Sequence, residues 1–325
     1  TGIFEIGDTT MNIWDALEVN ESRLGQIFSL NKSRGEAIDN IAFNERTYKP
    51  YGGPVLESDP VALIVVMPGS NCEYDLERAF EKAGAKTNTF VLRNRNKEDL
   101  IWSSDELAKE IGKSQILVLP GGFSAGDEPD GSGKFIANVL RNEKIKAAVN
   151  DLTKVRDGLI IGICNGFQAL IKTGLVPYGE IIEPKEDMPL LTNNKAGKHM
   201  DIIARVRIAS VNSPWMKYVE VDEAYSVPIS HGEGRFMASE KEMEKLLANG
   251  QVITQYCDMD DNATMDAPYN PNGSMNGVEG IVSPCGRILG KMGHNERWED
   301  GLMRNYIDKF DMQIFKAGVD YFKKQ

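Results

Sequence analysis

The sequence predicts an α/β fold: a doubly wound, mostly parallel sheet flanked by helices and preceded by an N-terminal arm. Two observations support this fold. From residue 61 onward, short continuous apolar runs alternate with segments of helical periodicity, a pattern typical of parallel strands joined by helices. Two of these runs lead into glycine-containing loops, residues 120–127 and 164–168. In such sheets, ligands bind where the carboxyl ends of the strands give way to loops.

The first 59 residues differ from the rest of the chain and are predicted to form a connector or arm. Residues 13–17 and 23–28 have the pattern of short helices, and residues 49–54 and 58–60 are rich in glycine and proline. The apolar residues of this segment have no clear core of their own. We therefore expect either an arm that packs on a neighbour or a frayed extension. A single domain is expected over residues 60–325.

The remaining elements follow from runs and periodicity along the chain. The first half is predicted to contain strands at residues 61–67, 87–92, 115–119 and 159–163 and helices at 73–83, 104–111 and 135–149, followed by a helix that ends near Gly174. The second half is predicted to contain strands at 202–208 and 252–256, a hairpin of 280–282 with 287–292, and helices at 239–249 and 305–323.

Cys164 lies in the most informative stretch of the sequence. It follows the apolar run of residues 159–163, it is flanked by Gly162 and Gly166, and a helical segment comes next. This is the nucleophile-elbow pattern, with cysteine in place of serine. The helix N-terminus favours a thiolate, and the N–H of Asn165 points to where an oxyanion would form. The alternatives are a buried structural cysteine here, and Cys72 as the nucleophile, although Cys72 lacks a second flanking glycine.

A cysteine nucleophile needs a general base, and the chain has three histidines. His294 follows the predicted strand 287–292, and Glu296 lies two residues further on. If this segment is extended, both side chains project to one side and the carboxylate can orient the imidazole. His231, in a Ser-His-Gly-Glu-Gly-Arg segment, is the rival base, and His199 is expected to be solvated.

The loop at residues 120–127 begins Pro-Gly-Gly-Phe. Backbone N–H groups of Gly121, Gly122 and Phe123 could face the site without obstruction and supply the other half of an oxyanion hole. A tight strand-end turn is the alternative. A phosphate-binding loop is a poorer fit, because the lysine and hydroxyl pattern of such loops is absent.

Composition narrows the functional class. The chain has 325 residues and a formal net charge of −11, which argues against a nucleic-acid surface. No apolar run reaches membrane-spanning length. The four cysteines have no metal-binding spacing, so they are expected to be free thiols in a reducing compartment, and we expect a cytoplasmic protein without a bound metal.

The motifs together resemble the glutaminase part of phosphoribosylformylglycinamidine (FGAM) synthase, a class I, or triad, glutamine amidotransferase with a flavodoxin-like sheet. The resemblance covers about residues 61–300, with the motifs in the order found in that family. These motifs are residues 120–127, 162–168, 231–235, 270–274 and 293–297. One departure is Gly-His-Asn-Glu at residues 293–296, where many members have Pro-His-Pro-Glu.

The resemblance implies a role for each matching residue. Cys164 would be the nucleophile, His294 the base and Glu296 its orienting partner, which favours His294 over His231. The residues implied in glutamine binding or the oxyanion hole are Gly122, Phe123, Asn165 and Gln168. Residues 1–59 resemble the connector that precedes the glutaminase domain in the long, fused form of the enzyme.

The resemblance also implies a reaction and a partner. Glutamine would be hydrolysed to glutamate and ammonia through a cysteine thioester. A synthetase domain, fused or separate, would use the ammonia to convert formylglycinamide ribonucleotide (FGAR) to FGAM in purine biosynthesis. ATP and Mg²⁺ are expected in that synthetase, and no cofactor is expected in this chain. The alternatives are another class I amidotransferase subunit, a cysteine hydrolase of the same fold, or a non-catalytic regulatory scaffold.

Overall fold

A nine-stranded sheet organises the part of the chain that the computed structural model describes, namely residues 2–25, 37–48, 53–54, 56–126 and 132–323. The strands are β1 Ile3–Ile6, β2 Thr9–Asn12, β3 Val61–Val66, β4 Lys86–Val91, β5 Ile116–Leu119, β6 Leu159–Ile163, β7 Leu190–Thr192, β8 Met200–Ile208, β9 Ala224–His231, β10 Arg235–Met237, β11 Val252–Tyr256, β12 Val278–Val282 and β13 Ile288–Lys291. The helices are α1 Ile13–Gly25, α2 Glu73–Lys82, α3 Lys97–Lys113, α4 Lys134–Leu140, α5 Glu143–Asn150, α6 Asn165–Thr173, α7 Leu175–Tyr178, α8 Glu240–Ala248 and α9 Ile314–Asp320.

The large sheet has the strand order β4-β3-β5-β6-β13-β12-β11-β8-β9. The first five of these strands run parallel, and β12, β11, β8 and β9 continue the sheet with antiparallel pairings. Every residue of β5 and β6 is buried, as the apolar runs predict. The α/β fold class is therefore confirmed. The carboxyl ends of β5, β6 and β13 meet at one edge of the sheet, and the loops that follow them come together there.

The helix predicted over residues 104–111 is longer in the structure, Lys97–Lys113, and two other predicted helices are divided or shortened. The helix expected over residues 135–149 is two helices, because Asn142 leaves the helical conformation and its side chain accepts the Lys144 N–H at 3.1 Å, starting α5. The helix expected over 305–323 is confined to α9. The residues before α9 are held against the sheet instead, where the Ser226 N–H donates to the Lys309 carbonyl at 2.7 Å.

Strand β9 was not predicted from the sequence, because Pro228 lies in its middle. Proline removes a ladder donor and usually argues against a strand. Here β9 is the last strand of the sheet and pairs only with β8, so one side of it needs no partner. This edge strand ends at His231, which brings that residue to the same region as the loop after β6.

The N-terminal segment has two described parts. Strands β1 and β2 form a hairpin that leads into α1. Only short helices were predicted in this segment. Residues 26–28 of the second predicted helix lie outside the described residues. Residues 37–48 run along the domain: Phe43 exchanges backbone hydrogen bonds with Ala209 and Val211, and Arg46 donates to the Val211 and Met216 carbonyls. No helix in the described part of the chain has the length and apolarity needed to cross a membrane.

Candidate active site

Cys164 occupies a strained turn between β6 and α6. Its backbone has φ 52° and ψ −106°, a conformation that non-glycine residues rarely adopt. A Cβ on Gly162 would lie 2.7 Å from the Gly166 backbone, and one on Gly166 would lie 2.1 Å from the Leu119 carbonyl oxygen. Both flanking positions therefore require glycine, as the elbow pattern predicts. The Cys164 N–H donates to the Lys291 carbonyl at 2.9 Å, which fixes the turn to the end of β13.

A cleft of about 420 Å³ opens at this edge of the sheet. Cys164 and His294 both line it, together with Gln168, His231 and Arg297. The structure thus brings the predicted nucleophile and both candidate bases to one cavity, although they come from three separate stretches of the chain.

His294 and Glu296 form a buried pair. The His294 Nδ1 and the Glu296 Oε1 are 2.6 Å apart, and both side chains are almost fully inaccessible. An extended segment was expected here, but Asn295–Arg297 forms a 3₁₀ turn. This turn still places the carboxylate against the imidazole. Burial alone lowers the pKa of His294. The Glu296 charge, with contributions from the nearby Cys164 and Cys72 sulfurs and from the Glu296 hydrogen bond, outweighs burial and raises that pKa well above its usual value.

The loop after β5 offers the Gly122 N–H, and not the Phe123 N–H, as an oxyanion donor. The Phe123 N–H donates to the Gly69 carbonyl at 2.8 Å, so the expectation that it faces an oxyanion is wrong. The half-exposed ring of Phe123 does line the cleft. Gly122 also lines the cleft, and its N–H has no acceptor in the described part of the chain. Gly122 has φ 133°, and a Cβ there would lie 2.6 Å from the Gly69 carbonyl oxygen.

Asn165 and Gln168 connect the elbow to the opposite wall of the cleft. The Asn165 side chain donates to the Gln168 Oε1 at 2.9 Å, and the Gln168 Nε2 donates to the Glu233 carbonyl at 2.7 Å. The Asn165 Oδ1 accepts the Ser124 N–H at 3.3 Å. Gln168 therefore lies in the cleft wall, as the resemblance implies, and orders the loop after His231.

His231 lies in the wall of the cleft without a carboxylate partner among the described residues. Its Nδ1 is 3.1 Å from the Asn194 Oδ1, and its carbonyl accepts from the Asn194 side chain at 2.8 Å. Burial, with smaller contributions from the charges of His294 and His199, lowers the pKa of His231 to about 3. His231 is therefore a neutral imidazole at neutral pH. His199 is exposed at the cleft, as predicted, where its Nε2 lies 3.0 Å from the Ser230 hydroxyl.

Cys72 lies behind the His294–Glu296 pair and does not line the cleft. It is fully buried, its Sγ is 3.8 Å from the His294 Nδ1, and it accepts from the Arg297 guanidinium at 3.1 Å. Cys72, His294 and Glu296 each have one atom that could bind a metal ion, and these three atoms lie within 4.8 Å of one another. The Arg297 cation against Cys72 opposes a metal ion at this position. Substrate would reach Cys164 rather than Cys72.

Comparison with known proteins identifies the family. The sequence model of the CobB/CobQ-like glutamine amidotransferase domain matches residues 59–322. The chain belongs to this glutamine amidotransferase family.

Relatives of this amidotransferase include the phosphoribosylformylglycinamidine synthase subunit PurQ of Methanococcus maripaludis, 34% identical over 82% of this chain and 98% of the relative. The subunit of the same name from Gloeobacter violaceus is 32% identical over 74% of this chain and 90% of the relative. A chain in the structure of PurLQS from Thermotoga maritima is 26% identical, with a TM-score of 0.59 over 82% of this chain and all of that chain. The family predicted from the motifs is therefore confirmed.

Arg297 and Asn194 are residues of this amidotransferase site that the sequence did not single out. Arg297 closes the Gly-His-Asn-Glu-Arg motif, and its position next to Glu296 was the available signal. Asn194 gave no signal, because its contact with His231 joins segments 37 residues apart.

Proposed function

We propose that this chain is the glutaminase of an FGAM synthase, with Cys164 as nucleophile, His294 as acid–base and Glu296 as the orienting carboxylate. One observation carries the proposal. A thiol on a strained elbow lines the same cleft as a buried histidine, whose Nδ1 is held 2.6 Å from a buried carboxylate while its Nε2 has no hydrogen-bond partner among the described residues. This is the arrangement of base and orienter that activates a nucleophile.

The reaction follows from these groups. His294 takes the thiol proton of Cys164, the sulfur attacks the side-chain carbonyl carbon of glutamine, and the carbonyl oxygen becomes an oxyanion. The C–N bond then breaks as the His294 imidazolium gives its proton to the departing nitrogen, leaving a γ-glutamyl thioester and ammonia. Water attacks the thioester, His294 takes the proton from that water, and glutamate leaves as the thiolate returns.

The oxyanion in this mechanism lies between two backbone segments. The Gly122 N–H comes from the loop after β5, and the Asn165 N–H comes from the first residue of α6. Donors already fixed in place at this point stabilise the developing charge without reorganisation. The Asn165 and Gln168 side chains hold the elbow against the cleft wall, and Phe123 contributes its ring to the glutamine pocket.

A glutamine-mimicking electrophile tests the assignment of the nucleophile. We expect mass spectrometry of the treated protein to place one adduct on Cys164, and glutamine to slow its formation. The other thiols serve as internal controls. Cys72 is fully buried, burial raises the pKa of Cys257 to about 12, and Cys285 is partly exposed but does not line the cleft. Labelling of Cys285 alone, or labelling that glutamine does not slow, would contradict the proposal.

The partner in this proposal is the synthetase that consumes the ammonia. The named relatives are subunits of FGAM synthase, and the Thermotoga maritima structure is titled as an assembly, PurLQS. The hydrolysis written above needs neither a metal nor a nucleotide. We therefore place ATP and Mg²⁺ in the synthetase, where FGAR is converted to FGAM.

The N-terminal unit, residues 2–25, is proposed to dock on that synthetase. Its strands and α1 expose large apolar side chains that the domain from residue 60 does not cover. The exposed members are Ile3, Phe4, Met11, Ile13, Trp14, Leu17 and Val19. Each large side chain buried in a contact contributes about 1.5–3 kcal/mol, so this face could supply much of an interface.

Coupling between the two proteins can be measured as glutamate release with the synthetase added in trans, with and without ATP and FGAR. We expect stimulation for the full chain and weaker stimulation for a chain that starts at residue 37. That truncation keeps residues 37–48, which pack on the domain, so it separates docking from folding. Equal stimulation of both chains would refute the docking role of residues 2–25.

A further inference from the structure

A second buried pair lies beneath the turn that carries His294. Glu279 in β12 and Lys291 at the end of β13 face each other, with Glu279 Oε1 and Lys291 Nζ 3.1 Å apart. Both side chains are within 2% of complete burial. Thr254 of the neighbouring strand β11 donates to the Glu279 Oε2 at 2.5 Å. The pair takes no part in the mechanism described above, although a buried charge pair is costly to desolvate.

The two charges hold the backbone of one residue, Gly293, through both of the peptide groups that flank its Cα. The Gly293 N–H donates to the Glu279 Oε1 at 2.5 Å, and the Gly293 carbonyl accepts from the Lys291 Nζ at 3.2 Å. Its N–H and its carbonyl are thus fixed by charged groups, and charge-assisted hydrogen bonds are stronger than neutral ones. The residue held in this way directly precedes His294.

The packing around Gly293 leaves this residue little freedom. A Cβ at position 293 would lie 2.6 Å from the Val227 Cγ2 and 2.9 Å from the Glu279 Oε1. A proline here, as in Pro-His-Pro-Glu, would also lack the N–H that Glu279 accepts. The departure seen in the sequence at residue 293 is therefore matched by a specific polar partner in the structure.

Lys291 also contacts the nucleophile's backbone. Its carbonyl accepts the Cys164 N–H at 2.9 Å, while its ammonium holds the peptide before His294. One residue at the end of β13 thereby fixes the elbow and the histidine turn relative to each other. A reacting pair in a protein loses rate steeply with small displacements, on the order of 10²-fold for 1 Å.

We propose that Glu279 and Lys291 are positioning residues for the glutaminase reaction, setting the distance and orientation of His294 relative to Cys164 through the Gly293 backbone. The inference rests on the proposed roles of Cys164 and His294. Neither Glu279 nor Lys291 lines the cleft, so neither is assigned a contact with glutamine.

The test uses the full chain and the double variant Glu279→Gln/Lys291→Met, which removes both charges while keeping similar side-chain volumes. Single variants would leave an uncompensated buried charge and could unfold the protein, whereas removal of both charges is often tolerated. We expect kcat for glutamine hydrolysis to fall about 10- to 100-fold. KM is expected to stay within about threefold, because the cleft wall is unchanged. The rate at which iodoacetamide alkylates Cys164 is expected to change as well.

A matched control lies just before the start of the same strand. Arg287 and Asp157 form an ion pair with both side chains fully buried, and neither lines the cleft. The double variant Asp157→Asn/Arg287→Met removes a comparable pair and is expected to leave kcat within about threefold of wild type. Thr254→Val removes one hydrogen bond to Glu279 with little change in shape, and a smaller loss of kcat is expected. Melting temperature is measured for all three variants.

Each outcome decides the inference. A fall in kcat with unchanged KM in the Glu279/Lys291 variant, absent from the control pair, supports it. If both double variants lose kcat equally and in step with their melting temperatures, the role of Glu279 and Lys291 is structural and the inference is overturned. Unchanged kcat and alkylation in a folded Glu279/Lys291 variant would overturn it too. If wild type and Cys164→Ala release glutamate equally, the proposed function itself fails, and the positioning role fails with it.

Discussion

Cys164→Ala is expected to lower kcat for glutamine hydrolysis by at least about 10³-fold, because no other group can form the thioester. Cys164→Ser is expected to lose nearly as much, since a hydroxyl fits the turn but is a far weaker nucleophile than a thiolate. Both variants keep the glycines that allow the elbow, so the melting temperature should change little. Glutamate release and unfolding are measured on the same preparations.

The other buried cysteines supply controls for that result. Cys257→Ala removes a buried thiol that does not line the cleft and should leave kcat unchanged. Cys72→Ala removes a group 3.8 Å from the His294 Nδ1, so a partial loss is expected, smaller than for Cys164→Ala. Turnover retained by Cys164→Ala but abolished by Cys72→Ala would transfer the role of nucleophile to Cys72.

The second large effect is expected at His294. His294→Gln should lower kcat/KM by about 10³-fold or more, because it removes the group that protonates the departing nitrogen and activates water. His231→Gln should lose less than about tenfold. Burial lowers the pKa of His231 to about 3, so at neutral pH it is not an imidazolium that can give up a proton. Its hydrogen bond with Asn194 contributes about 1 kcal/mol, which corresponds to less than tenfold.

Glu296→Gln separates orientation from proton transfer at the same site. The amide keeps the size of the carboxylate but removes the charge that raises the pKa of His294. We expect an intermediate loss of kcat/KM. A greater loss for His231→Gln than for His294→Gln would move the base to the rival histidine and would contradict the geometry described above.

Local sequence patterns determined the parallel half of the sheet and the turn that carries Cys164. Strands β3, β5 and β6 are continuous apolar runs because both of their faces are buried, so the pattern is unambiguous. The elbow turn could be predicted because its two glycines lie within two residues of Cys164. Both positions exclude a side chain for steric reasons. The family match likewise depends on motifs that are each short and local.

The sequence was less informative wherever a distant segment decided the structure. Strand β9 contains Pro228 and is a strand only because β8 pairs with it at the sheet edge. Residues before α9 are held by Ser226 instead of continuing the helix. The Phe123 N–H was expected at the oxyanion, but the Gly69 carbonyl, from the loop after β3, accepts it.

The patterns that made Cys164, His294 and Glu296 candidates were thus contained in the sequence, namely the two glycines beside Cys164 and the two-residue spacing of His294 and Glu296. The electrostatics of these residues were not. His231 and His294 are both buried histidines near one cleft, yet their pKa values move in opposite directions. The difference arises from a carboxylate 2.6 Å from one imidazole and an uncharged amide 3.1 Å from the other. Only the tertiary structure places those partners, since a charge acts through distance and burial rather than through position in the chain.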